Sequence, residues 1–227
     1  NYRNQWPSYV GGIHYFSSWI DYNLMNSNFS LGLNISNEFE EVYKLSTSHL
    51  SPSFSYEINL NYDWILRSGV QFSVVNSRLN NDLIFLDQFN SDGTIGLSSE
   101  NLIVYDNRNY LNLAMGMLAY SEKIWIGGSI YNLNEPNISF SNEKIKLDRL
   151  YSFHVGFTID KFKMSPSLHF KKQSKFNQLD IGTYFNLEPI NFGVWYRGVP
   201  IDSNNNFNSI ISSLGINFKD FIMSYSY

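Results

Sequence analysis

The chain has 227 residues and a formal net charge of -4, and with no run of Lys or Arg it offers no footprint for nucleic acid. It contains no cysteine, which excludes disulfide frameworks and thiolate metal sites. Charged residues make up 16% and aromatics 17%, against about 25% charged in ordinary soluble domains, so something other than a charged surface meets the surroundings.

No stretch approaches the roughly eighteen consecutive apolar residues that a transmembrane helix needs. Helical membrane proteins are thereby removed, but barrels are not. Their strands alternate lipid-facing and lumen-facing residues, which keeps mean hydropathy low, and here it is -0.25. The length suits a single domain over 1–227, since all-β barrels run to this size as one unit. Asn1 has no signal-peptide pattern behind it, so any leader is expected to be removed or to lie outside the chain.

Period-two alternation begins early and recurs almost everywhere. Phe29, Leu31, Leu33 and Ile35 interleave with Ser30, Gly32, Asn34 and Ser36, and Phe54, Tyr56, Ile58 and Leu60 with Ser53, Ser55, Glu57 and Asn59. Between these, Glu38 to Ser46 is the one place for a turn of helix. Leu111, Leu113, Met115 and Met117 follow, then Tyr151, Phe153, Val155, Phe157 and Ile159. Leu179 to Arg197 reads as a hairpin with Ile181, Phe185, Phe192 and Val194 on one face and Asp180, Gly182, Gly193 and Trp195 on the other. Ile210 to Phe218 and Phe221 to Tyr227 close the series.

There are about thirteen such segments, each near the nine to eleven residues that cross a bilayer at a tilt. The fold expected is an all-β, up-and-down antiparallel transmembrane β-barrel. The links support it. Those near Asn61–Asp63, Ser121–Glu122, Asp160–Lys161, Asn186–Pro189 and Lys219–Asp220 are tight, whereas Asn76–Asn109, Leu133–Asp148 and Gly198–Asn208 are long and polar. The link near Ser174–Phe176 departs from the pattern. Short turns at one rim and long loops at the other are the habit of outer-membrane barrels. Aromatics near strand ends, Trp19 with Tyr22, Tyr62 with Trp64, Tyr120, and Trp195 with Tyr196, suit interfacial girdles, although Tyr and Phe also favour strands generally. A soluble sandwich would show the same period. Val194→Arg separates the two, with an expected cost of about 2 to 4 kcal/mol near the midplane against far less for Gly193→Ser.

Chemistry-bearing patterns are sparse. His14, His49, His154 and His169 form no HxxxH or HxH pair, so no metal site or cofactor is expected. His154 has Ser152 and Ser165 nearby, but serine is abundant and the spacing carries no specificity for a hydrolase. Arg67, His154, Asp180 and Arg197 read as lumen-facing polar residues, and with Glu57 and Lys171 they are too sparse and mixed in sign for an ion-selecting ring. The long segment Leu79–Tyr105 contains Leu83, Ile84, Phe85, Leu86 and Phe89, too apolar to stand in water. It is expected to fold over or into the barrel or to bind a partner; a locally packed loop is the other reading. Glu135, Pro136 and Asn137 form a second candidate contact, or simply a rigid turn.

A series of short motifs carries a family resemblance. Asn1-Tyr-Arg-Asn-Gln-Trp-Pro7, Leu133-Asn-Glu-Pro-Asn137 after Gly-Gly-Ser-Ile-Tyr, Leu147 to His154, Leu-Ser-Pro and Met-Ser-Pro before strands, Val194-Trp-Tyr-Arg197 and Ser224-Tyr-Ser-Tyr227 run in an order and spacing that resemble the PorP/SprF family. The resemblance implies a fourteen-stranded outer-membrane barrel of type IX secretion and gliding machinery in Bacteroidota. It implies a non-enzymatic role with the translocon, or with periplasmic lipoprotein and peptidoglycan-linked components, in export or anchoring of large adhesins bearing a type B C-terminal domain. Family members usually have residues before the Arg-Asn-Gln-Trp strand and a further strand after Ser-Tyr-Ser-Tyr, so extreme N- and C-terminal segments are expected to be missing here. A passive porin is the alternative function.

Overall fold

The computed structural model describes residues 1–5, 12–25, 27–79, 89, 94, 96, 107–199, 209–218 and 221–226. They form thirteen strands: β1 Tyr2–Gln5, β2 Ile13–Asn23, β3 Phe29–Glu40, β4 Leu45–Asn59, β5 Ile65–Leu79, β6 Asn107–Tyr120, β7 Ile124–Tyr131, β8 Leu150–Phe157, β9 Met164–Gln173, β10 Phe176–Leu187, β11 Ile190–Arg197, β12 Ser209–Phe218 and β13 Phe221–Ser226. Each pairs antiparallel with its chain neighbours in a single sheet of order β1 to β13. No pairing joins β1 to β13 among the described residues. Among the described residues no helix is long and apolar enough to cross a membrane.

The alternation of the sequence becomes two faces of opposite character. Phe54, Val70, Phe72, Val74, Leu111 and Met115 are exposed on one side. On the other, Ser17, Ser36, Ser51, Ser73 and Ser77 are buried, and Val75 is buried with them. A sandwich would cover its apolar face with a second sheet. The described residues form one sheet and no second, so the apolar face is outward and the small polar face lines the inside, the inversion that lipid as a solvent requires.

The register adds a tilt. At the long-loop end, the last apolar outward residue is Phe16 on β2, Phe39 on β3, Leu50 on β4, Val74 on β5 and Leu111 on β6. It is Ile130 on β7, Tyr151 on β8, Phe170 on β9, Leu179 on β10, Tyr196 on β11 and Ile210 on β12. Followed through the paired residues, this edge rises by two residues between β2 and β3 and drops by four between β3 and β4, four between β6 and β7, two between β8 and β9 and two between β10 and β11, a net fall of ten. It stays level at the other steps. That is ten residues over ten strand steps, or one per strand. A rise of about 3.3 Å per residue across a strand spacing of about 4.8 Å corresponds to strands inclined by about 35° to the belt normal, within the range of membrane barrels.

Tight links lie where the sequence puts them. In the β4–β5 turn Asn61 Oδ1 accepts from the backbone N–H of Asp63 and Trp64 at 2.9 and 2.8 Å, an Asx turn. The β8–β9 link contains a 3-10 turn, Asp160–Phe162, closed by Lys163 at φ 48°. The anomalous link is just Ser174 and Lys175 between β9 and β10. Three expectations need correction. Glu38 to Ser46 holds no helix: β3 continues through Glu40 and β4 starts at Leu45, because residues 41–44 form a tight turn with Lys44 at φ 47°. Trp19, Tyr120 and Trp195 are not girdle residues. Their register partners Asn34, Trp125 and Gly182 are on the inward face, and only Tyr22 and Tyr196 of those strand aromatics point outward. Gly193→Ser is also not a mild change, since its Cβ would meet the Tyr184 ring at 2.6 Å and the Ser213 hydroxyl.

Candidate functional site

Inward glycines shape the lumen wall. A Cβ on Gly127 would meet the His154 ring at 2.6 Å, and one on Gly156 or Gly182 would enter the rings of Trp125 and Trp195. Each ring therefore lies against the wall over a glycine of the adjoining strand, the cross-strand covering of glycine by an aromatic seen in curved sheets. Small residues here make room for rings, not for an empty bore.

Across this wall one register row joins Glu57, Arg67, Leu118, Gly127, His154, His169, Asp180 and Arg197 on β4 to β11. The row is oblique to the apolar belt. Glu57 stands beside Ile58, at the short-turn edge of the belt on β4, whereas Arg197 stands beside Tyr196, at the long-loop edge on β11. The four polar residues singled out from sequence therefore climb the wall and do not form a ring. At the lower end Arg67 forms an ion pair with Glu57, which also accepts from Tyr120 Oη at 3.0 Å. At the upper end Asp180 is buried and accepts from Gln178 Nε2 at 2.9 and 2.8 Å and from the Gly198 N–H at 3.1 Å, with Arg197 Nε 3.6 Å away. Gly198 has φ 76°, a conformation that glycine adopts without strain. Asp180 thus ties down the chain where it leaves β11.

Between these ends Ser152 Oγ lies 2.8 Å from His169 Nε2. The serine's partner is His169 and not His154, whose imidazole covers Gly127 and meets His169 edge-on at 6.3 Å. Asp180 opposes His169 in register, but its oxygens are engaged by Gln178, Gly198 and Arg197. The three residues do not assemble a relay in which the acid orients the histidine.

The 132–149 connection is extensively hydrogen-bonded at the long-loop rim. Beyond the last β6–β7 pair, the Asn134 side chain takes the place of a peptide group: Leu113 N–H donates to its Oδ1 at 3.0 Å and its Nδ2 donates to Leu111 O at 2.7 Å. Leu133 N–H donates to Leu113 O at 2.9 Å. Asn132, buried and at φ 58°, accepts from Asn112 Nδ2 at 2.7 Å and donates to Asp148 O at 2.9 Å. Glu135 faces Arg149 at 3.4 Å and Lys146 at 3.9 Å. Pro136 O accepts from Leu147 N–H at 2.9 Å, and Asn137 pairs with Lys146 to start a small hairpin. Asn137 Oδ1 accepts from the N–H of Ser139 and Ile145, and Arg108 Nε donates to Asn137 O at 3.2 Å. Glu135, Pro136 and Asn137 are thus joined in one internally bonded unit that leans on β6, with Ile145 exposed near its tip. Of the other candidate contacts, Phe89 is exposed, and Leu83, Ile84, Phe85 and Leu86 lie outside the described residues. Asn134 was not singled out from sequence; its place in Leu133-Asn-Glu-Pro-Asn137, just past a strand, was the available signal.

A meandering sheet with an outward apolar belt, a polar inner wall and strands inclined as above defines the class: a transmembrane β-barrel wall of the outer-membrane type. No curated protein matches the chain. The family described as type IX secretion system membrane protein PorP/SprF matches residues 1–227, the whole chain, and the chain belongs to it.

Proposed function

We propose that this membrane protein of the type IX secretion system works in the outer membrane as a non-enzymatic component that supports export or surface anchoring of large adhesin-type substrates. It does so through contacts with translocon subunits or with periplasmic lipoprotein and peptidoglycan-linked partners. The observation that carries this reading is the 132–149 unit, a bonded platform at the long-loop rim. The apolar run Leu83–Phe89, in the stretch of chain between β5 and β6, is proposed as a second contact. Affinity purification of the full-length protein from native outer membranes in mild detergent, followed by mass spectrometry, tests the reading. Translocon subunits, periplasmic lipoproteins or a large adhesin are expected to co-purify, and deletion of Leu83–Phe89 is expected to remove them while the barrel still assembles. A barrel recovered alone that conducts in planar bilayers would instead make it a porin.

A further inference from the structure

The outward face changes character abruptly beyond the apolar edge. On β4 to β6 the next outward residues are Ser48, Asn76 and Asn109, directly above Leu50, Val74 and Leu111, on β9 and β10 they are Lys172 and Asn177, and on β3 Asn37 lies between Ile35 and Phe39. None is a carboxylate. The acids at this end of β3, Glu38 and Glu40, sit on the inward face, opposite Thr47 and Leu45. On β4 to β6, β9 and β10 hydroxyl, amide and cation groups are therefore turned toward the membrane surface, whereas on β2 the outward His14 pairs with Glu41 at 2.8 Å.

The groups cluster most closely on β5 and β6. Asn76 Nδ2 donates to Asn107 Oδ1 at 2.6 Å and to Asn109 Oδ1 at 2.5 Å, while Arg78 Nε donates to Asn76 Oδ1 at 2.9 Å. That bond uses one of five guanidinium donors. Among the described residues no carboxylate pairs with exposed Arg78. The amide chain fixes the guanidinium at the level where hydrocarbon ends and headgroups begin, and each Asn amide keeps a spare donor or acceptor for hydroxyls.

We propose that this Arg78–Asn76–Asn107–Asn109 face binds the phosphorylated sugar headgroup of a glycolipid in the outer leaflet, with the guanidinium on phosphate and the amides on sugar hydroxyls. The charge matches, because planar guanidinium groups favour phosphate and no carboxylate among the described residues pairs with this one. The position matches, since a ligand here keeps its acyl chains against Leu111 and Val74 and its headgroup against the amides. The proposal rests on the reading of the chain as an outer-membrane barrel with its long-loop rim outside.

The test is native mass spectrometry of the full-length protein in detergent, titrated with bis-phosphorylated lipid A and with its dephosphorylated form. Phosphorylated lipid A is expected to bind, and Arg78→Ala combined with Asn109→Leu to weaken it by at least about tenfold. Arg78→Lys is expected to weaken it less, and Lys123→Ala, in a turn of the opposite rim, not at all. Folding of each variant is checked by heat-modifiable electrophoretic mobility. Equal affinity for the two lipid forms overturns the proposal, as does a folded double variant that binds like the parent, including one that has instead lost a protein partner. Orientation is read separately: the chain has no native cysteine, so Ser174→Cys at the long-loop rim is expected to react with an impermeant maleimide on whole cells. Failure to label would overturn the topology independently of the lipid result.

Discussion

Gly156 and Gly182 show how a single atom decides the lining of this wall. Trp125 and Trp195 occupy the volume a methyl group would need there, and packed aromatic rings resist such insertion at a cost of about 1 to 3 kcal/mol. Gly156→Ala is therefore expected to lower stability by that amount in urea unfolding from lipid vesicles. Gly215→Ala should be near neutral, because its Cβ would meet nothing closer than 3.5 Å. The same control serves the outward face. Val194→Arg places a cation against hydrocarbon and should cost about 2 to 4 kcal/mol if near the midplane, with Gly215→Ser in place of the obstructed Gly193→Ser as its inward partner. Equal losses from the two would contradict the assignment of faces. At this scale the sequence is legible wherever a face is decided by parity: Trp195, between Val194 and Tyr196, is inward by the same alternation that makes those two outward. Which ring covers which glycine is not legible, because it depends on the register of two strands.

Among the elements, the strands follow from their period and the tight links from Asn and Gly chemistry, but the 132–149 unit does not. The reason is that Asn134 acts as backbone. An asparagine side chain carries the same donor and acceptor as a peptide group, and only a known register shows that β6 still has an open N–H and C=O where β7 has ended. Removing it leaves those two groups without their partners, at about 1 to 3 kcal/mol for a desolvated group and less where water can enter. Asn134→Ala is expected to open residues 132–149 to limited proteolysis while the barrel keeps its resistance. Unchanged cleavage would mean that Arg108, Asn132 and the Glu135 ion pairs hold the unit without it. The Glu135-Pro-Asn137 segment could be read from sequence as a turn, whereas its attachment to Arg108, far away along the chain, could not.

For the whole molecule, the class of fold is visible in composition and period, since few charges, many aromatics and no apolar helix leave little else. The inclination of the strands is not, because it emerges from comparing eleven apolar edges through their pairings. Polarised infrared spectroscopy of aligned bilayers is expected to report strands inclined by about 35 to 45°. A value near zero would show that the stepped edge is not the membrane boundary. The same obliquity explains why Arg67, His154, Asp180 and Arg197 could be recognised as inward from sequence but not placed in height: residues level in the sheet are not level in the membrane. The Glu57–Arg67 and Asp180–Arg197 pairs are consequently at opposite ends of the wall.

The way residues 132–149 are fastened has a mechanical consequence. Asn134, Leu133 and Asn137 each hold a different point of β6, at Leu111 and Leu113 and at Arg108. A pull at the exposed tip near Ile145, directed along the strands, would strain these bonds in parallel, whereas a pull away from the wall would open them one after another. The rim should accordingly withstand tugging along the barrel far better than sideways peeling, a directional stiffness set by one side-chain amide standing in for a peptide.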